Sequence, residues 1–266
     1  MADLVIEDLT VTFGHGAKAF NAVDGVSLAV PSGTIVGLVG ESGSGKSTVA
    51  RTVAGLQKAT SGRITLDGED LLDARASRRA RARSVQMIFQ DPYSSLNPRM
   101  TVGDTIAEAL AIHSDLTAAE RKASVRELLE LVRLKASAAE QYPSQMSGGM
   151  RQRVAIARCL AVRPRLIVAD EITSALDASV QGAVLNLIRE LQRELGLSML
   201  FITHNLAAVR YIADTTAVMR TGRIVEVAGA EQIVSAPSHP YTRSLVAAIP
   251  RIDHAGTDHL LTSREA

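Results

Sequence analysis

The sequence predicts an α/β fold, and three observations carry that prediction. The segments Thr34–Val39, Val85–Phe89, Leu166–Ala169 and Met199–Thr203 are apolar at nearly every position. Runs of that kind suit strands buried on both faces of a parallel sheet. The stretches between them carry helical periodicity, as alternating strands and helices require. Finally, a glycine-rich segment follows Thr34–Val39 directly and a pair of acids closes Leu166–Ala169. Open parallel sheets bind their ligands at that edge.

The remaining elements follow in order. Leu4–Phe13 and Val26–Val30 read as half-buried strands, the second with Val26, Leu28 and Val30 on one face. From Pro98 to Leu160 no strand pattern occurs, and this stretch is expected to be a helical insert. Within it Thr117 and Glu120 have the spacing of a capping box, and Val125, Leu128, Leu129 and Val132 form an apolar stripe behind them. Val180, Val184, Leu187, Ile188 and Leu191 form another. Thr216–Met219 and Arg223–Val227 flank Arg220, Thr221 and Gly222, which read as a hairpin turn.

Composition narrows the function. The chain has 266 residues, 46% hydrophobic and 21% charged, with 29 basic and 28 acidic side chains for a net charge of +1. That near-balance lacks the basic surplus of a dedicated nucleic-acid binder, so no nucleic acid is expected as a partner. The N-terminus lacks a basic region followed by an apolar core, so no signal peptide is expected. The longest apolar runs fall far short of the ~20 residues that cross a bilayer as a helix, so any membrane role is borrowed from a partner. A single cysteine, Cys159, forms no disulfide pair and no cysteine-based metal framework, and its setting after a helix start suggests simple packing. The arginine run Arg75, Arg78, Arg79, Arg81 and Arg83 reads as a solvated helix face. His113, His239, His254 and His259 show no metal-ligand spacing.

The glycine-rich segment is Gly40, Glu41, Ser42, Gly43, Ser44, Gly45, Lys46 and Ser47, a full GxxxxGK[ST] motif between a buried strand and a helix beginning near Thr48. Its glycines let the backbone curl so that N–H groups point at phosphate oxygens, with the helix start adding its positive end. Lys46 is expected on the β- and γ-phosphates and the Ser47 hydroxyl on Mg²⁺. The acids at the strand end are Asp170 and Glu171. Beside a phosphate loop, Asp170 suits Mg²⁺ and Glu171 suits general-base activation of water. Taken without the loop, the pair would be two acids entering a turn.

A second anion site is read at Ser147, Gly148 and Gly149, where a helix begins and backbone donors converge. Ser147-Gly-Gly-Met-Arg-Gln-Arg153 resembles the signature of the ATP-binding cassette (ABC) proteins, with Met146 in place of the usual leucine. That resemblance implies a phosphate-loop ATPase core, mostly parallel sheet plus an antiparallel N-terminal β subdomain, interrupted by a helical subdomain. On this sequence the core spans about 1–95 and 160–230, the insert about 96–159, and a short C-terminal extension 231–266.

The resemblance also implies a division of labour. In this family the signature of one cassette closes over the γ-phosphate of ATP held by the loop of another. Gln90 then matches the glutamine that contacts Mg²⁺ or the lytic water, Asp177 lies in the loop that crosses the dimer interface, and His204 matches the switch histidine on the γ-phosphate. Phe13 is the choice to stack on adenine, with Phe20 as its rival. Ile172 stands where the family has proline, which leaves Glu171 a freer backbone.

Gln90–Pro98 and Ser238–Leu245 resemble the dipeptide, oligopeptide and nickel importer branch. That branch implies two membrane permease subunits, an external substrate-binding protein, a second cassette identical or paralogous to this one, and a place on the cytoplasmic face of the membrane. Its members often carry a cysteine-bearing tail holding an iron–sulfur cluster; with Cys159 alone, no cluster is expected. Ser238–Leu245 also reads as a proline-bounded helix whose Tyr241 and Leu245 pack. Chromosome-maintenance and translation-associated cassettes fit less well, because they need a long insert between the ATP motifs or a second cassette. A same-branch ATPase serving an enzyme complex, such as one cleaving carbon–phosphorus bonds, remains the alternative.

Overall fold

The computed structural model describes residues 3–73, 78–91, 95–113 and 115–248. Arg75, the stretch 92–94, His254 and His259 lie outside them, as do the side chains of Arg78, Arg79 and His113.

Two sheets share one helix. The first is antiparallel, with order β2-β1-β4-β5, built from β1 (Leu4–Phe13), β2 (Phe20–Val30), β4 (Ser61–Leu66) and β5 (Glu69–Asp70). The second has order β10-β9-β3-β8-β7-β6, from β3 (Ile35–Val39), β6 (Val85–Ile88), β7 (Leu166–Asp170), β8 (Ser198–Thr203), β9 (Thr215–Arg220) and β10 (Arg223–Gly229). Its strands run parallel except β10, which returns antiparallel along β9. The α/β architecture with an antiparallel N-terminal sheet is thus the one expected. β4 and β5 are additions, and β2 begins six residues earlier than the alternating pattern indicated.

Side-chain alternation explains why the central strands read as continuous apolar runs. Ile35, Val39, Ile167, Met199 and Phe201 face one core. Val36, Leu38, Val168, Leu200 and Ile202 face a second one, filled from the other side by Leu4, Ile6 and Ile64 of the antiparallel sheet and by Val49 and Val53 of α1 (Lys46–Val53). Both faces are covered, which is why these strands are apolar at most positions.

The first core continues into the helical insert. α2 (Arg78–Ser84) precedes β6, and after it come α3 (Val102–His113), α4 (Ala118–Leu131) and α5 (Gly148–Leu160). The capping box at Thr117 and Glu120 is formed, and Val125, Leu129 and Val132 are buried with Leu128 packed at their edge. α5 runs through the expected end of the insert, burying Val154, Ile156 and Cys159 in the shared core. Burial pushes the Cys159 thiol up to about 12, which leaves it unreactive. α6 (Ala178–Leu195) and α7 (Leu206–Ile212) cover the sheet, and the hairpin turn after β9 has positive φ at Thr221 and Gly222 as expected. α8 (Ala230–Ser235) and α9 (Pro240–Ala247) fold residues 230–247 back against the core, where Tyr241 is buried.

Phe201 sits at the centre of this arrangement, fully buried on β8. Phe201→Ala is expected to cost about 3–5 kcal/mol, read as a lower midpoint in urea denaturation. A midpoint equal to wild type would mean that the strand can repack without it.

Candidate functional site

β3 ends at Val39, and the chain then turns through the phosphate loop into α1. Gly45 is the N-cap of that helix at φ 107°. A Cβ on Gly45 would lie 2.2 Å from the carbonyl oxygen of Ala22, so no other residue fits. The loop is held from outside by backbone as well, since the Gly222 N–H donates to the Ser44 carbonyl at 2.9 Å. Glu41, Ser42 and Gly43 face solvent.

Lys46 is 4% exposed and closes the loop from within. Its ammonium donates to the Gly40 and Glu41 carbonyls, both at 2.8 Å, and to Ser44 Oγ at 3.4 Å. Burial pulls its pKa below the usual lysine value, against the opposing pull of Glu171 and Asp170. Thr48 spends its N–H on the Gly45 carbonyl at 3.0 Å, inside the first helical turn.

The two carboxylates stand together at the end of β7. Asp170, the last residue of β7, accepts the Ser47 hydroxyl at 3.0 Å and is 4% exposed. Burial pushes its carboxyl above the ordinary range, only partly countered by the Ser47 hydrogen bond and by Arg51 and Lys46. Glu171 follows with φ 49° and its N–H bonded to the Ile202 carbonyl at 2.8 Å. Its carboxylate is gripped from both sides: Gln90 Nε2 donates to one oxygen at 3.1 Å, and His204 Nδ1 lies 3.2 Å from the other. Gln90 follows β6 and His204 follows β8, which flank β7, so strand order alone brings the three together.

Glu171 is therefore not loosened by the lack of proline. Its backbone is left-handed rather than extended, the buried Ile172 side chain anchors the next residue in the core, and two side chains hold the carboxylate. Ser174 completes the cluster, donating to the Glu171 carbonyl at 2.8 Å and lying 3.5 Å from Gln90 Nε2.

The residues around Asp170 suit Mg²⁺. The Ser47 hydroxyl and a desolvated carboxylate are hard oxygen donors already in contact, in a place where a cation would relieve the buried charge. Among the described residues no group of three or more His, Cys, Asp or Glu converges, so phosphate oxygens would have to supply part of the shell.

Ser147 and Asp177 lie elsewhere. Ser147 caps α5 and accepts the Met150 N–H at 3.3 Å. Asp177 caps α6, and the Ser179 hydroxyl and the Val180 N–H hold its carboxyl below the usual range. The two helix starts touch: a Cβ on Gly149 would meet Val180 at 2.5 Å. Ser147 opens onto a cleft of about 440 Å³ with Arg133, Lys135, Arg153 and Val180. No hydrogen bond among the described residues joins Ser147, Gly148 or Asp177 to the phosphate loop.

Phe13 and Phe20 pair across the β1–β2 ladder and stack with ring centroids 6.0 Å apart. They are 37% and 60% exposed and form one aromatic platform near Ala22, which abuts Gly45. The choice between them thus becomes a choice of face on a single pair. Sequence reading did not foresee the backbone braces from Ala22 and Gly222, which carry no side-chain signal.

A phosphate loop, strand-end acids and a separate serine-capped helix on this two-sheet frame define a cassette ATPase. Comparison with known proteins agrees: the ABC transporter family matches residues 23–174, and the oligopeptide/dipeptide transporter C-terminal region matches residues 225–265. The chain belongs to the ABC transporter family. It is 51% identical over 253 residues to the oligopeptide transport ATP-binding protein OppF of Bacillus subtilis, covering 94% of this chain and 83% of that one. It is also 51% identical over 252 residues to a putative peptide import ATP-binding protein of Brucella ovis, covering 94% and 79%. Among solved structures it resembles the dimeric post-hydrolysis state of the cassette MJ0796 bound to ADP and Pi, with TM-score 0.77, 28% identity, and 85% and 98% coverage.

Asp170 gives a test by stability. A carboxyl whose folded pKa is raised binds its proton more tightly in the fold, so its ionised form opposes folding. That penalty is absent below the unfolded value near ~3.9 and complete above the folded one. Asp170→Asn is therefore expected to raise the nucleotide-free Tm at pH 7.5 by about 2–4 °C per kcal/mol relieved, while ATPase activity is lost. A lower Tm in differential scanning would contradict the assignment of Asp170 as a buried charge only partly compensated by its neighbours.

Proposed function

We propose that the chain is one of two ATP-hydrolysing cassettes that drive an importer of oligopeptides from the cytoplasmic face of the membrane. The grip of Gln90 and His204 on Glu171, one residue from the Ser47–Asp170 pair, carries this reading. The peptide cargo follows from the names of the relatives and from the match of the C-terminal region. Those names favour peptide import over service to a carbon–phosphorus-cleaving complex.

The chemistry assigns each side chain a task. Lys46 and the amides of Gly43, Gly45 and Lys46 receive the phosphates, with Phe13 or Phe20 on adenine. Ser47, Asp170 and the Gln90 amide would hold Mg²⁺, which neutralises phosphate charge when bound. Glu171 takes a proton from water as its oxygen attacks the γ-phosphorus. The bond from that phosphorus to the bridging oxygen breaks, and ADP and inorganic phosphate leave. Gln90 and His204 keep the carboxylate in place while this happens.

Ser147, Gly148 and Gly149 have no phosphate within their own chain to meet. A second cassette, identical or paralogous, brings its signature to this loop and Asp177 to the seam. Closing the pair moves the membrane subunits. A cleft between sheet and insert suits their docking: Leu56, Phe89 and Ile112 are exposed apolar side chains on its wall, directly before Gln90 in the case of Phe89. No helix among the described residues is long and apolar enough to cross a membrane.

Glu171→Gln is expected to keep ATP affinity and lower turnover by ~10²–10⁴-fold. Turnover near wild type would remove Glu171 from the base role. Affinity purification of the full chain from membranes is expected to bring down two multi-span proteins. Recovery of a soluble enzyme complex in their place would overturn the importer assignment.

A further inference from the structure

The Ser238–Leu245 segment does more than pack. Glu226 on β10 accepts the backbone N–H of Ser238 at 2.7 Å and of His239 at 3.0 Å, which fixes the entrance to α9. His239 Nδ1 then accepts the Tyr241 N–H at 3.1 Å and caps the helix, with Pro240 in its first turn. These contacts aim Tyr241 inward. Its ring lies under the Arg220 guanidinium at 4.9 Å, at the end of β9.

The phenol ends on the phosphate loop. The Glu41 N–H donates to Tyr241 Oη at 3.2 Å, across 200 residues of sequence. The carbonyl of the same Glu41 accepts the Lys46 ammonium at 2.8 Å. One loop residue is thus clamped on both sides, by the C-terminal helix through its N–H and by the loop lysine through its C=O. Loop amides serve a polyphosphate only while the backbone keeps its curl, so preorganisation here translates into nucleotide affinity.

We infer that Tyr241 is a positioning residue of the nucleotide site: its hydroxyl holds the entrance of the phosphate loop in the curl that Lys46 clasps, and α9 thereby sets ATP affinity. This rests on reading the loop as the ATP site. Among the described residues Tyr241 has no hydrogen bond to Gln90, Asp170, Glu171 or His204. It therefore acts on binding and leaves the chemical step alone.

Tyr241→Phe deletes the hydroxyl and keeps the ring. In the full-length chain the Kd for Mg·ADP by isothermal titration and the KM for ATP are both expected to rise about 2–10-fold, the range for one neutral hydrogen bond. A kcat within about 2-fold and an unchanged nucleotide-free Tm would complete the signature, since a merely structural role would move Tm and spare the KM-to-kcat split. Lys46→Ala is the reference. If Tyr241→Phe binds like wild type while Lys46→Ala binds weakly, the inference is overturned and the ATP site stands; if neither weakens binding, the site itself is misread. Should Tyr241→Phe fail to fold, hydrogen exchange on the wild-type chain decides. A protected Glu41 amide supports the clamp, and exchange at the rate of a free amide refutes it.

Discussion

The charge of a polyphosphate is bound only where enough donors converge, and in this chain the two proposed donor surfaces stand apart. One is the phosphate loop, curled between β3 and α1. The other is the start of α5, where the exposed Ser147 caps the helix and accepts the Met150 N–H. No hydrogen bond among the described residues joins the two. The proposed pairing of cassettes rests on that separation, because a second cassette would bring the other half to the phosphates.

Strand order supplies the geometry of the proposed site. The sequence β3-β8-β7-β6 sets the loop, His204, the two acids and Gln90 along one sheet edge without any long-range design of side chains. What the protein adds is restraint of charge. Lys46 and Asp170 are both taken out of water, each shifted toward neutrality by burial, and each is answered by short polar contacts. Burial makes both charges costly, and on the proposed reading the phosphates and Mg²⁺ would relieve them.

Much of this was legible because the signals were local or periodic. Strands dry on both faces announced themselves as continuous apolar runs, and the loop, the strand-end acids and the serine before paired glycines are short motifs with fixed spacing. The strand Ser61–Leu66 escaped notice because only its last three residues are buried, too short for a period to emerge. The left-handed turn at Glu171 was equally hidden, since no glycine marks it. Contacts made by backbone, such as Ala22 on Gly45, or across most of the chain, such as Tyr241 on Glu41, leave no trace in spacing at all.

The shared site is tested most directly by mass in solution. In the slowly hydrolysing Glu171→Gln chain, alone or mixed with the cassette that co-purifies with it, ATP is expected to convert a 28.2 kDa monomer into a cassette pair. Adding Ser147→Arg to both members is expected to keep them apart at the same ATP concentration. Pairing that ignores ATP, or that survives the loss of Ser147 on both sides, would contradict a nucleotide held between two chains.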